Sequence, residues 1–261
     1  MSVRLLRTDE AWAEIAPSLT AIKSHAGSPP VLSDRMCIAA VLSLARTGTP
    51  WRDLPEAFGH WDAGSHRLRR WARRGLWRQR WERLQTDACP LPRQLCIDAP
   101  MVRAPQHAAG AVKKNGGHTA QALGRSRGGL STNIHAGGRA ERPGVALVLT
   151  AGHCHERPVC ETVCAQVPPE PALTHAMMDK GSDSDGIREP LVAHDIVPVI
   201  PPKSNRRAPL DYEKALDKLR ETVERFFNNL KQFRRIATRY EKLSQTFLAL
   251  IHLVAAWIII K

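Results

Sequence analysis

The chain has 261 residues, 43% apolar and 24% charged, an ordinary globular balance that excludes wholesale disorder and fibrous repeats. Lys and Arg total 38 against 25 Asp and Glu, a formal net charge of +13, which points to a polyanionic partner, nucleic acid before membrane. The six cysteines (Cys37, Cys89, Cys96, Cys154, Cys160, Cys164) form no regular framework, and the opening MSVRLLRTDE has no apolar signal core. The chain therefore reads as cytoplasmic with reduced thiols.

A proline-bearing stretch, ACPLPR at 88–93, marks the expected boundary between a module at 1–90 and a domain at 91–261. Upstream, 8–20 and 33–47 read as helices, the second with Ser33 as N-cap and with Gly48 and Pro50 as its stop. Asp53-Leu54-Pro55-Glu56 suits a turn. Residues 64–84 follow as a long basic helix: Arg67, Arg69, Arg70, Arg73, Arg74, Arg78, Arg80 and Arg83 stand against one acid, Glu82. Trp71, Trp77 and Trp81 punctuate it, and Gly75 offers a break. Short helices followed by an Arg-rich one suggest an all-α, helix-turn-helix-like module gripping DNA. The competing reading is a solvated basic helix packed on its tryptophans.

Downstream the pattern changes to mixed α/β. Leu95 to Asp98 is a short apolar run ending in an acid. Leu130 to His135 and Val145 to Thr150 read as two strands of a hairpin joined by AGGRAERPG. Leu173 to Met178 leads into Asp179, Ile196 to Ile200 is a strand closed by Pro201-Pro202, and 211–236 is an amphipathic helix. Phe247 to Ile260 is 14 residues of nearly continuous apolar sequence. That is short of the roughly 20 that span a bilayer, so it is expected to pack behind this second part, with no membrane partner.

Three carboxylates carry the chemistry. Asp98 and Asp179 end apolar runs, where α/β sheets place ligands. Glu224 lies on the expected helix with Arg220 at i−4 and Lys231 at i+7 on its own face, opposite the stripe Val223, Phe226, Phe227 and Leu230. Locally this is equally an i,i+4 ion pair. Taken together, three hard oxygen ligands suit two Mg²⁺ or Mn²⁺ ions serving phosphoryl displacement. Residues 103–127 add Arg103, Lys113, Lys114, Arg125 and Arg127 with no acid, a loop to order on a phosphate backbone or a solvated one. His153, Cys154, His155, Cys160 and Cys164 lie close together without matching a closed zinc pattern. His107, His118 and His135 read as phosphate or metal contacts, or as surface and core histidines.

Several long blocks then fall in order. They are GTPWRDLPEAFGHW with RLRRWARRGLW, IDAPMVRAPQHAAGAVKKNG with QALGRSRGGLSTNIHA, DKGSDSD, and RETVERFFNNLKQFRRIATRYEKL. They resemble the DNA transposases of bacterial insertion sequences, the IS-five group of the DDE superfamily. The resemblance implies a ribonuclease H-like catalytic fold with Asp98, Asp179 and Glu224 as metal-binding triad. It implies hydrolysis at the element's inverted repeats followed by strand transfer into target DNA. Arg220 and Lys231 match the family's Arg-x3-Glu-x6-Lys signature and are expected on phosphate. At least a homodimer is implied, since two ends are joined to one target. The chain departs from the pattern at Ala99 and Pro100, at Pro105, at Ser182 where the family has Tyr, and at Asp217, again in place of Tyr. Two readings compete with a working transposase: a decayed copy that only binds DNA, and a nuclease without strand transfer.

Overall fold

The computed structural model describes residues 9–20, 32–86, 93–112, 119–139, 142–154, 157–167, 172–206 and 213–260. The chain forms two compact units. One holds Met1–Thr86, Pro105–Ala111 and Leu230–Lys261; the other holds Asp87–Ala104 and Val112–Asn229.

The first unit is helical: α1 (Asp9–Thr20), α2 (Asp34–Thr47), α3 (Trp61–Arg73) and α4 (Leu76–Thr86), then α9 (Arg234–Ala237) and α10 (Ser244–Ile260). The Ser33 hydroxyl accepts from Met36 N at 3.1 Å, satisfying one of the open amides that start α2. Gly48 ends α2 at φ 75°, a conformation glycine adopts without steric cost. The basic helix expected over 64–84 is two helices, broken where Gly75 takes φ 65°. Trp71, Trp77 and Trp81 are buried, the first two edge-to-face at 5.7 Å.

The closing apolar segment is helix α10, and it packs against α3 and α4 rather than behind the sheet as the sequence suggested. An apolar run buried nearly all round needs large apolar neighbours, and the tryptophan-bearing helices supply them. Among the described residues no helix is long and apolar enough to cross a membrane.

His252 is buried on α10. Burial first, then Arg78, pushes its pKa down to about 4 from 6.5, against a bond to the Leu248 backbone. The unfolded ring binds a proton near 6.5 and the folded ring only near 4. Stability is therefore full above about pH 6.5 and falls as pH drops toward 4, by up to about 3 kcal/mol. Urea titrations at about pH 7.5 and about pH 5 should show His252→Leu losing about 2 kcal/mol less than wild type. An unchanged pH slope would mean that this ring titrates normally.

The second unit is a mixed sheet with flanking helices. Its strands are β1 (Gln94–Asp98), β2 (Met101–Arg103), β3 (Gly124–Ser126), β4 (Gly129–Arg139), β5 (Arg142–Ala151), β6 (His175–Met177) and β7 (Val197–Val199). The central order is β5-β4-β1-β6-β7. The first three are antiparallel, and β1, β6 and β7 are parallel. β2 and β3 add to β4. The expected hairpin is present, in the register Ile134↔Leu149, with longer strands than read from sequence.

Helix α5 (Arg157–Gln166) covers β4 and β5, and α6 (Asp185–Ala193) joins β6 to β7. A Cβ at Gly137 would lie 2.4 Å from Val163 Cγ1, so the absent side chain is what lets α5 approach. The helix expected over 211–236 is interrupted. Its described part is α7 (Lys214–Asp217), a 3₁₀ turn Lys218–Arg220 and α8 (Glu221–Lys231), with α9 beyond. The stripe Val223, Phe226, Phe227 and Leu230 is buried as its spacing predicted.

Candidate active site

Asp98 is the last residue of β1, and Asp179 follows β6 by two positions. The parallel register pairs Cys96 with Met177. The two acids therefore leave the carboxyl ends of adjacent parallel strands, where an open α/β sheet has its crevice. Both line one cavity of about 40 Å³, together with Ile97, His135, Cys160 and Ser182. That is room for a few water-sized groups.

Each carboxylate is oriented by nearby donors. Ala99 N donates to Asp98 Oδ1 at 2.9 Å. Ser182 donates twice to Asp179 Oδ1, from N at 3.1 Å and from Oγ at 2.9 Å. His135 Nε2 lies 2.8 Å from Thr150 Oγ1, and burial pushes its pKa down to about 4. The ring is neutral at physiological pH and adds no positive charge beside the two aspartates.

Two departures from the family pattern have local explanations. Pro100 occupies the link between β1 and β2, where its carbonyl accepts from Ile134 N at 3.1 Å. The amide that matters beside Asp98 is that of Ala99, which is intact. Ser182, in place of the family's Tyr, gives Asp179 a hydroxyl partner, although by the sequence pattern alone it counts as a loss.

Glu224 lies on α8, half exposed, with Arg220 Nη2 donating to its Oε1 at 2.8 Å. Arg220 also reaches Asp217 at 3.5 Å. The 3₁₀ turn ending at Arg220 packs against β1. Burial pushes the Cys96 thiol up to about 12, with Arg220 opposing and Asp217 adding. Arg220 therefore stands near the β1 face that carries Cys96 and, by strand alternation, Asp98. Glu224 does not line the cavity of the two aspartates. Among the described residues no three His, Cys, Asp or Glu are grouped as a metal-ion cage. Cys154 is exposed, Cys160 buried and Cys164 half-buried, and His155 lies outside the described residues.

The candidate DNA-contacting residues separate by exposure. Arg69, Arg70, Arg73 and Arg74 are exposed on and just after α3. Arg67 is buried, donating to Leu32 O at 2.7 Å and Asp34 Oδ1 at 3.0 Å, and ties α3 to the start of α2. Arg103, Arg125 and Arg127 are exposed around β2, β3 and the following turn. The Arg103 guanidinium lies where a side chain at Gly128 would be, 1.8 Å from an ideal Cβ. Lys231 is exposed at the end of α8. Lys113 and Lys114 lie outside the described residues.

Comparison with known proteins matches the sequence to a family. Residues 90–259 match the model described as "Transposase DDE domain". The chain belongs to the DDE transposases. Residues 8–81 match "Putative transposase of IS4/5 family", which sets it among the transposases of insertion sequences. It is similar to the "Putative transposase for insertion sequence element IS6501" of Brucella ovis, 29% identical over 131 residues, 49% of this chain and 98% of the relative. It is also similar to the "Uncharacterized protein y4sN" of Sinorhizobium fredii, 39% identical over 98 residues, 36% of this chain and 73% of the relative. Among solved structures, a Mos1 transposase paired-end complex with left transposon end aligns over 90% of this chain and 79% of that one, at 14% identity and a TM-score of 0.28.

Proposed function

We propose that this transposase binds the terminal inverted repeats of an insertion sequence, cuts them, and joins the freed ends to target DNA. Asp98, Asp179 and Glu224 are the reactive carboxylates. One observation carries the reading: Asp98 and Asp179 leave adjacent parallel strands into one cavity, each with its hydrogen bonds on Oδ1. Two carboxyl groups there have the oxygen-donor chemistry of a hard-cation site, Mg²⁺ or Mn²⁺. Asp98, Asp179 and Glu224 would hold such ions, which would supply activation of an attacking oxygen and charge stabilisation of the leaving oxygen in an in-line displacement. The order β5-β4-β1-β6-β7, three strands antiparallel and the last three parallel, supports a ribonuclease H-like plan for 91–261.

The cationic groups divide the remaining work. Arg220 is shared between Glu224 and Asp217. A DNA phosphate that draws Arg220 onto itself releases Glu224 to complete the acidic set. Lys231, Arg103, Arg125 and Arg127, with Lys113 and Lys114, contact the backbone near the reacting end. In 1–90, the helix-turn-helix-like module grips DNA through Arg69, Arg70, Arg73 and Arg74, while Arg67 holds the module's helices. The active form is at least a homodimer acting in the cytoplasm.

The test is a cleavage and strand-transfer assay on a duplex carrying the flanking inverted repeat, with Mg²⁺ or Mn²⁺. Nicks at the repeat end together with joined products are expected. Binding without nicks would make this a copy that only binds DNA, and nicks without joining would make it a nuclease.

Two smaller predictions accompany this reading. Replacing the four exposed arginines by Ala should flatten the salt dependence of end binding by about 0.9 in log–log slope for each phosphate that they neutralise. An unchanged slope would place the DNA elsewhere. Asp217→Asn frees Arg220 from a part-exposed acid and should raise affinity at low salt about two- to fivefold. Fluorescence anisotropy reads it, and an unchanged affinity would mean that Arg220 does not contact DNA.

A further inference from the structure

The turn that carries Asp179 is held from twenty residues downstream. Asp179 caps the 3₁₀ turn Lys180–Ser182, and Ser182 supplies both hydrogen bonds to its carboxylate. The carbonyls on either side of Ser182 are both gripped by one ammonium: Lys203 Nζ donates to Gly181 O at 2.9 Å and to Asp183 O at 3.0 Å. The backbone N–H of Lys203 in turn donates to Asp183 Oδ2 at 2.7 Å. Side chain meets main chain in both directions, which fixes the relative position of the two segments. Pro201 and Pro202, with their φ angles locked, restrict how the chain enters Lys203.

The far side of the lock is a satisfied buried carboxylate. The Asp183 side chain is 1% exposed and accepts from Arg188 Nε at 2.8 Å and Arg206 Nη1 at 2.9 Å. Arg188 also donates to Ile200 O at 2.8 Å, just past β7. Burial would raise the Asp183 carboxyl, but the Lys203 amide, Arg188 and Arg206 outweigh it and hold it below its ordinary value. Asp183 is thus charged and compensated by two guanidinium groups. The hydrogen bonds of the Lys203 ammonium among the described residues go to carbonyls, so its charge stays on the Asp179 turn.

We propose that Lys203 is a positioning residue for the transposase reaction: by gripping the carbonyls of Gly181 and Asp183 it fixes Ser182, and through Ser182 the Asp179 carboxylate, in the orientation that receives a divalent cation. The inference rests on the reading of Asp179 as a metal ligand. Residues that orient a metal ligand typically cost about ten- to a hundredfold in metal affinity when removed. Lys203 is only half-buried, so a variant there is expected to fold.

The experiment is Mn²⁺ binding to the full chain by calorimetry. Wild type is compared with Asp179→Asn, Lys203→Met, Lys203→Arg and Ser182→Ala, and the Tm of each variant is read without metal. Asp179→Asn should lose the Mn²⁺ site. Lys203→Met should weaken it about tenfold or more with a Tm near wild type, and Lys203→Arg should recover most of that loss. In nicking assays the Mg²⁺ concentration for half-maximal rate should rise in Lys203→Met, with the rate at saturating Mg²⁺ close to wild type.

Wild-type Mn²⁺ affinity in Lys203→Met, beside a lost site in Asp179→Asn, would overturn the positioning role and leave the metal reading standing. Wild-type affinity in Asp179→Asn would overturn both. Equal losses in the Met and Arg variants with a lowered Tm would make Lys203 merely structural. If Lys203→Met does not fold, Ser182→Ala decides the same question: it removes one of the two bonds to Asp179, and unchanged Mn²⁺ binding there would break the chain of positioning.

Discussion

Asp98→Asn and Asp179→Asn are each expected to lower Mg²⁺-dependent nicking by at least about a thousandfold, because a metal-held phosphoryl transfer loses several kcal/mol of charge stabilisation with each ligand. Asparagine keeps the shape of the side chain. Its carbonyl oxygen still accepts from Ala99 N at position 98, or from Ser182 N and Oγ at position 179, the bonds that orient the native carboxylates. What is removed is one negative charge facing the cavity. Glu224→Gln belongs to the same series. There the missing charge also loosens one of the two acidic partners of Arg220, which sits 2.8 Å from Glu224 and 3.5 Å from Asp217, so binding to the repeat should hold or rise while cutting falls. Gel-shift titration and a nicking time course on the same duplex separate the two effects. Full nicking activity in any one variant would remove that acid from the triad. Loss of binding in step with loss of nicking would mean that the substitution had damaged the fold.

The parts of the fold and of the site that are legible in the sequence are those written in local chemistry. Ser33 and Gly48 announce both ends of α2, because a hydroxyl before a helix and a glycine after it answer the open amides and carbonyls of its termini. Asp98 and Asp179 stand out because each follows a short apolar run, and such runs become β1 and β6. Gly75 marks the break between α3 and α4.

What the sequence hides depends on neighbours distant along the chain. Arg67 counts as one more cation in a basic stretch, yet it is buried against Asp34 and Leu32. β2 and β3 are three residues each and exist by pairing with β4, too short to show a period of two. Helix α5 opens on Arg157-Pro158 and is ten residues long, little enough to be hidden among cysteines that draw attention as ligands. The apolar run of α10 is a buried element, as its composition says, but its neighbours are α3 and α4 and not the sheet. Hydrophobicity says that a surface will be covered, not by what. Ser182 shows the same limit at the site itself: a departure from a family pattern becomes a hydrogen-bond donor to Asp179 once the turn is folded.

The largest effect on stability is expected in the helical unit, at Arg235→Met. The Arg235 side chain is 8% exposed and Glu241 5%, with Nε donating to Oε1 at 2.7 Å. Arg235 Nη1 also donates to Thr49 O at 2.8 Å, just beyond α2. The guanidinium stands 6.0 Å from the Trp51 ring centre and 5.5 Å from that of Tyr240, within range of favourable cation–π attraction. Removing it takes from the buried Glu241 carboxylate its hydrogen-bonded guanidinium, leaving only the longer-range attraction of Arg239, whose Nε donates to the Glu241 main-chain carbonyl. Breaking a buried pair from one side costs about 3–5 kcal/mol, most of it the uncompensated charge. That origin has a consequence that a simple packing defect lacks. Removing both charges, in Arg235→Met with Glu241→Leu, should be less destabilising than Arg235→Met alone by at least about 1 kcal/mol. Urea midpoints at unchanged m-value for the two single variants and the double variant complete the cycle. Additive effects would show that Arg235 stabilises this unit through packing and its bond to Thr49, and that its charge on Glu241 contributes nothing.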